Sequence, residues 1–243
     1  MSNIFPIKFT ALPPALATRV QDFGDLPQAT RDLGLPSPRP VIVNLGGAGR
    51  MTEADLARLR PLFDEALAPI AEELGAVIVD GGTDAGVMRL MGQARAAHNF
   101  PLVGVLVERL AALPSHPIEK NQWTLEAHHT HFVLTPGSQW GDESIWISRL
   151  ATALAGARPS VSVLIHGGEI AYQDAAHSVE QHRPVIVVEG SGRTADVLAA
   201  ALRGVVQDER AGQLVASGLL TSVRLADGPD ALLAALDRSL QRA

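Results

Sequence analysis

The sequence predicts an α/β protein with a Rossmann-like, mainly parallel sheet of about seven strands, helices on both faces and an N-terminal edge strand or hairpin. Three observations carry this. Seven short runs rich in Val, Ile and Leu (VIVNL, AVIVD, LVGVLV, HFVLT, VSVLIH, PVIVVE and TSVRLA) alternate with longer stretches of helical periodicity, the pattern of βαβ units. The runs are almost continuously apolar, so both faces of each strand must be covered, because a strand with one wet face would alternate. Five of the seven end in glycine-rich turns: GGAGR, GGTDAG, PGSQWGDE, GGE and EGSGR.

Taken in chain order, residues 1–40 read as an extension packed on the main fold. Six prolines precede Pro40 and the early IFPIKF alternates, which predicts a short edge strand or hairpin and then an irregular connection. The first helix opens at Thr52, where Asp55 completes a capping box, and Leu56, Leu59, Phe63, Leu67, Ile70 and Leu74 recur at spacings of three and four. Pro61 and Pro69 fall inside that pattern and predict a kink or a break. Further helices are expected after Asp84, from about Glu143 to Ala157, after Gly168, after Gly192 and near Pro229, with a short one in DERAGQLVASG. The chain has 243 residues, no internal repeat and no linker, so residues 1–243 are read as a single domain.

Composition limits the function. Hydrophobic residues make up 47% and charged residues 19%, as in a packed globular protein. The net charge is −6 and no stripe of Lys and Arg could neutralise a run of phosphates, so no nucleic-acid polymer is expected as partner. The absence of Cys removes disulfides, thiolate metal sites and Cys nucleophiles. No apolar run approaches the ~20 residues of a membrane span, and MSNIFPIKFTALPP does not read as a secretory leader, so a cytoplasmic location is expected.

The recurrent turns are the main functional signal. In an open parallel sheet the carboxyl ends of the strands line the ligand crevice, and turns without side chains let backbone N–H groups and helix N-termini approach a phosphate. The candidate ligand-binding residues are Gly46, Gly47, Gly49 and Arg50 after the first run, and Gly82, Thr83 and Asp84 after the second. Gly137 and Gly141 follow the fourth run, Gly167 and Gly168 the fifth, and Glu189, Gly190, Ser191, Gly192 and Arg193 the sixth. Arg50 and Arg193 stand singly beside their turns, an arrangement that suits one small anion. Gly47 to Thr52 reads G-x-G-x-x-T, one residue short of the dinucleotide fingerprint, and no Walker phosphate loop occurs, so neither a dehydrogenase nor an ATPase is supported. Asp80 reads equally as a ribose ligand or as a turn residue. Glu126-Ala127-His128-His129-Thr130-His131 places His129 and His131 on one side of an extended segment, where a metal could use them.

The series VIVDGGTDAGVM, HHTHFVLTPGSQWGDES, VLIHGGE and RPVIVVEGSGRTADVLA resembles the SLOG superfamily, and within it the N-terminal cytosolic (LSDAT) domain of melastatin-type TRP channels and its prokaryotic relatives. The resemblance covers roughly Val41 to Leu198. It implies a Rossmann-like fold and a nucleotide-derived ligand, with ADP-ribose and NAD relatives favoured, no required cofactor and no metal at the His cluster. A ligand sensor is implied as readily as an enzyme, and a sensor implies an effector protein as partner. Self-association is left open.

A second branch of the superfamily, the LOG enzymes, cleaves the N-glycosidic bond of nucleoside monophosphates with a P-G-G-x-G-T-x-x-E motif. Here Pro136 to Ser144 keeps the glycines but has an extra residue, Asp142 in place of the Thr, and no terminal Glu. Glu143 is the candidate catalytic carboxylate of this alternative. Its other reading is a first-turn acid that complements a helix dipole.

Overall fold

The protein was analysed as a computed structural model that describes residues 4–35, 37–114 and 117–241. The elements in chain order are β1 (Phe5–Ile7), β2 (Ala15–Arg19), α1 (Leu26–Asp32), β3 (Val41–Gly46), α2 (Glu53–Leu62), α3 (Ala68–Glu73), β4 (Val77–Asp80) and α4 (Gly86–Arg95). They continue with β5 (Leu102–Val107), β6 (Ala111–Ala112), β7 (Trp123–Thr124), β8 (His131–Thr135), α5 (Ser144–Ala155), β9 (Ser160–Ile165) and α6 (Glu169–Glu180). The last are β10 (Val185–Glu189), α7 (Arg193–Leu202), α8 (Glu209–Ala216), β11 (Leu220–Arg224) and α9 (Pro229–Leu240).

All seven apolar runs are strands, but the main sheet has nine, in the order β1-β2-β8-β5-β4-β3-β9-β10-β11. The two extra strands come from the N-terminal segment. β1 pairs antiparallel with β2, and β2 lies parallel to β8 with Leu16 opposite His131 and Arg19 opposite Leu134. ALATR is short and Ala-rich, so β-propensity gives it little signal, and its pairing to β8 holds it in the sheet. The connection expected to be irregular also contains α1, which starts with Pro27 in its first turn and buries Leu26, Ala29 and Thr30. A two-residue ribbon, β6 with β7, lies outside the main sheet.

Every neighbouring pair from β2 to β11 is parallel. Side-chain alternation splits each strand between two cores. Val41, Val43 and Leu45 of β3 pack with Leu150 and Leu154 of α5, Tyr172 of α6 and Leu198 of α7. Ile42 packs on the opposite face with Leu59, Phe63, Met91 and Leu236. The predicted helices appear where expected. Thr52 and Asp55 close their capping box, with the Asp55 N–H donating to Thr52 Oγ1 at 3.2 Å and the Thr52 N–H to Asp55 Oδ2 at 3.0 Å. The two prolines do break the first helix: α2 stops at Leu62, a π-helical turn covers Phe63–Leu67, and α3 starts at Ala68. Pro61 and Pro69 remove two backbone donors, and the wider turn keeps Phe63, Ala66 and Leu67 buried across the break.

The chain lays β3, β4, β5 and β8 outward in one direction and then returns, placing β9 on the other side of β3. The connections that leave the carboxyl ends of β3 and β9 therefore diverge, α2 to one face and α6 to the other, at a topological switch point, where open α/β sheets leave a crevice.

One buried cation braces the face behind this crevice. Arg183 donates to Ser148 Oγ and Ser148 O, both at 3.0 Å, to Thr152 Oγ1 at 2.8 Å and to Ser160 Oγ at 3.2 Å. Among the described residues no carboxylate is bonded to it, and burial pushes its guanidinium down to about 10. Replacing Arg183 with Ala leaves both a cavity and orphaned acceptors, so the protein is expected to lose about 2–4 kcal/mol of stability. Urea unfolding checks this, and an unchanged midpoint would show that Arg183 does not brace α5.

Candidate functional site

A cavity of about 500 Å³ opens at the switch point. Its floor is the turn after β3. Gly46 approaches β9 so closely that a Cβ there would sit 2.0 Å from the Ile165 carbonyl oxygen. Gly86, at φ +51°, brings the first turn of α4 onto the same turn: a Cβ on it would lie 1.9 Å from Gly47 O. The Val87 N–H donates to that oxygen at 2.9 Å. The turn is thus fixed from both sides by backbone contacts that only glycine allows.

Trp123 of β7 forms one wall, its ring lying 2.3 Å from where a Cβ on Gly49 would be. The segment carrying it is tied to the turn after β4, with the Asp84 N–H donating to Thr124 O at 2.8 Å and the Glu126 N–H to Gly82 O at 3.0 Å. Trp140 and Ile147 come from the β8–α5 side, and Met88 from α4. The opposite wall is the start of α6. Its N-cap, Gly168, offers no side chain to the first-turn N–H groups, and Arg193 lies over it, with Nη2 3.5 Å from the position of a Gly168 Cβ.

The charges in this cavity are not paired with one another. Arg50 and Arg193 both line it and are exposed, and neither makes an ion pair or hydrogen bond among the described residues. Glu143 and Asp174 also line it. Glu143 is buried, accepts the Gly141 N–H at Oε2 at 2.9 Å, and is pushed up by that burial. Asp174, on α6, is raised to about 7 by burial, against a hydrogen bond with Ser144 that lowers it and with the charge of Glu143 adding to the rise. Glu169 lines the cavity but is engaged by Arg210.

Of the residues singled out in the sequence, Gly46, Gly47, Gly49, Arg50, Thr83, Glu143, Gly168 and Arg193 line this one cavity. The others do not and have local tasks. Gly82 packs against Gly104 of β5, where a Cβ would meet the Gly104 Cα at 2.8 Å. Asp84 pairs with Arg89 at 2.8 Å. Gly137 leaves room for Asp142 and Val107, and Gly167 for Ala171 and Thr194. Gly141 donates to Glu143 as above. Glu189 pairs with Arg203, the Gly190 N–H donates to Asp196 at 2.6 Å, and Ser191 Oγ accepts the His166 N–H at 2.7 Å while donating to Val188 O at 2.6 Å. Gly192 makes space for the His166 ring. Glu143 is the N-cap of α5, so its place at a helix start is as read from the sequence, and it is buried there.

The sequence reading did not single out Trp123, Trp140 or Asp174. The tryptophans left a signal, since the chain has three and Trp146 alone is core. Asp174 left none, being one acid within an amphipathic helix.

The histidine cluster is a buried ionic network instead. His129 is bonded to Asp80 Oδ1 through Nε2 and to Glu126 Oε2 through Nδ1, both at 2.9 Å. Asp80 also takes the Gly82 N–H at 2.8 Å and the Asn44 amide at 3.2 Å, so it shapes the turn after β4 and does not line the cavity. Despite full burial, the two carboxylates hold the His129 imidazolium up at about 9. His131 faces away, bonded to Leu33 O at 3.1 Å and pushed down to about 4 by burial. Among the described residues no cluster of His, Asp and Glu could hold a metal ion.

The profile described as "SLOG in TRPM, prokaryote" matches residues 39–234. The chain belongs to this SLOG family. The SLOG chain is 26% identical over 239 residues to transient receptor potential cation channel subfamily M member 2 of Mus musculus, and 26% over 195 residues to member 6 of Homo sapiens. These alignments take in 79% and 67% of this chain but 16% and 10% of the channels, so it spans a small part of their length. Among solved structures, the X-ray structure of the structural-genomics target TM1055 matches with a TM-score of 0.57 at 20% identity, covering 82% of this chain and 99% of that one. That likeness is one of fold. No helix among the described residues of this SLOG chain is long and apolar enough to cross a membrane.

The His129 network gives a signed pH dependence. Its folded-state pKa is raised above the unfolded value, so its stabilisation is complete below about 6.5 and is lost as pH rises through about 9. The thermal midpoint of the wild type is expected to fall between pH 7 and 9.5, and His129→Gln to flatten that fall. His129→Ala, which leaves two buried carboxylates facing each other, is expected to cost about 3–5 kcal/mol at neutral pH. Parallel slopes for wild type and His129→Gln would exclude the network as the source.

Proposed function

We propose that the protein binds a nucleotide-derived, phosphate-bearing ligand of the ADP-ribose class in the crevice between β3 and β9. The observation that carries this reading is the pair of uncommitted guanidinium groups, Arg50 and Arg193, facing one cavity with the uncapped start of α6. Backbone N–H groups and the helix dipole favour an anion at Gly168, and a guanidinium over it adds charge-assisted, bidentate bonds. Trp123 and Trp140 supply apolar walls on which a planar base can stack. Membership in the SLOG family supports the same ligand class. In this reading the protein is a sensor that acts through an effector protein in the cytoplasm, and the nucleotide leaves unchanged.

The placement of Glu143 favours one second reading, hydrolysis of an N-glycosidic bond. A desolvated carboxyl in the ligand cavity with its pKa raised is equipped to protonate a leaving base or to stabilise an oxocarbenium-like transition state. Water would add to the anomeric carbon as the C–N bond breaks, and the base would leave with a proton.

Incubation with AMP, NAD and ADP-ribose followed by chromatography separates the two. Intact nucleotide together with a raised melting temperature is expected for the sensor. Release of free adenine at roughly 1 per second or more, abolished by Glu143→Gln, would establish the hydrolase. In calorimetric titration with ADP-ribose, Arg193→Ala is expected to weaken binding by about 1.5–3 kcal/mol, the range for hydrogen bonds to charged groups. Equal affinities would remove Arg193 from the phosphate site.

A further inference from the structure

The crevice contains a second unpaired set of charges, and it is acidic. Glu143 and Asp174 line the same cavity as Arg50 and Arg193, yet neither acid has a cationic partner among the described residues. Glu169, the third acid there, is already engaged by Arg210, which also packs over Tyr172. The two free acids are close enough for Glu143 to act on Asp174 through its charge. A cavity built only for phosphate gains nothing from two carboxyl groups, since each would repel the ligand. Their presence is explained if the ligand also brings hydroxyl groups.

Building on the nucleotide reading, we propose that Glu143 and Asp174 form the subsite that recognises the vicinal hydroxyls of a ribose and so selects ribonucleotides over deoxyribonucleotides. The spacing fits such a ligand. Asp174 lies on the cavity side of α6 with Ile170, one turn before it, and six residues beyond the N-cap Gly168. Six residues span about 9 Å of helix axis. Helical side chains lean back toward the N-terminus, so the Asp174 carboxyl sits nearer the anion end than its Cα does. A sugar esterified at its 5′ position bridges that interval, with phosphate at Gly168 and Arg193 and the hydroxyl edge toward Asp174.

The chemistry of the pair suits a diol. Two neighbouring carboxyls in a desolvated site hold one proton between them, as both the burial of Asp174 and the charge of Glu143 favour. Such a pair offers one donor and several acceptors, and a vicinal diol offers two donors and several acceptors in return. Glu143 is held in place by the Gly141 N–H, which donates to its Oε2, and by its own backbone N–H.

The test is calorimetric titration of the full chain at pH 6 with ADP, 2′-deoxy-ADP and 3′-deoxy-ADP. The wild type is expected to bind ADP at least about 10-fold more tightly than either deoxy analogue, the loss that one unmade hydrogen bond to a charged group brings. Asp174→Ala and Glu143→Ala should bind all three nucleotides alike, at the strength of the wild type with deoxy-ADP. Asp174→Asn, whose amide donates and accepts as the protonated acid does, should keep the preference. Arg193→Ala should weaken all three equally and leave the ratio unchanged, a result that misfolding of the acidic variants could not imitate. If the wild type binds ADP and its deoxy analogues equally, the subsite is overturned while the nucleotide reading stands. Failure of the wild type to bind any of the three overturns both.

Discussion

Backbone packed on backbone at the ends of β3, β9 and α4 is the constraint on which the rest of the site depends. Gly46 lies against the Ile165 carbonyl, the Gly47 N–H donates to that carbonyl at 3.2 Å, and Gly86 lies against Gly47 and Ala48. A methyl group at Gly46 or Gly86 would have to pass through a backbone oxygen. Because these three chain segments touch without side chains between them, the first turn after β3 is held rigid at the floor of the crevice. Its neighbours then have fixed places: Trp123 over Gly49, the start of α6 opposite, and α2 leaving from a closed capping box at Thr52.

What marks this crevice is that charges of both signs line one cavity. Some arginines find acids, Arg19 with Glu108, Arg58 with Asp55, Arg89 with Asp84, Arg203 with Glu189, Arg210 with Asp208 and Glu169, and Arg224 with Asp227, while others, such as Arg39, Arg158 and the buried Arg183, make no ion pair among the described residues. Such exposed pairs contribute little to stability. In the cavity only Glu169 is met, by Arg210. Among the described residues Arg50 and Arg193 make no ion pair, and Glu143 and Asp174 have no cationic partner although all four line the cavity. Uncompensated charge kept in a concave site is better explained by a ligand than by folding.

How much of this was legible in the sequence depended on whether a feature is local. The seven apolar runs, the capping box at Thr52 and the break at Pro61 and Pro69 are properties of consecutive residues, and each was read correctly. β1 lies in IFPIKF, read as an edge strand or hairpin, whereas β2 joined the sheet through pairing with β8, over a hundred residues away, so ALATR alone could not show it. The glycine turns were legible as a set but not individually. Gly82 and Gly137 are glycines because Gly104, Val107 and Asp142 press on them, whereas Gly46 and Gly49 reach the cavity, and the sequence carries no mark of that difference. Likewise Asp80 and the histidine cluster looked like ligand-binding chemistry separately. Only in three dimensions do they neutralise one another behind the turn after β4.

Two of the five described non-glycine residues with positive φ lie at the same edge of the sheet. His166 and Arg193 both have positive φ, +63° and +52°, a conformation that costs a residue with a side chain on the order of 1–3 kcal/mol. They directly follow the ends of β9 and the β10 turn, and each is held by the other's loop. The Ala195 N–H donates to His166 O at 2.9 Å, the His166 N–H donates to Ser191 Oγ, and Thr194 Oγ1 donates to Gly168 O at 2.8 Å. A glycine at position 193 would relieve its strain but would leave no guanidinium there. The left-handed start of α7 turns the Arg193 side chain away from its own helix and over the N-terminus of α6. The strain at Arg193 is thus held by hydrogen bonds between the loops after β9 and β10, and it leaves the guanidinium beside the N-cap of α6, where the proposed anion would lie.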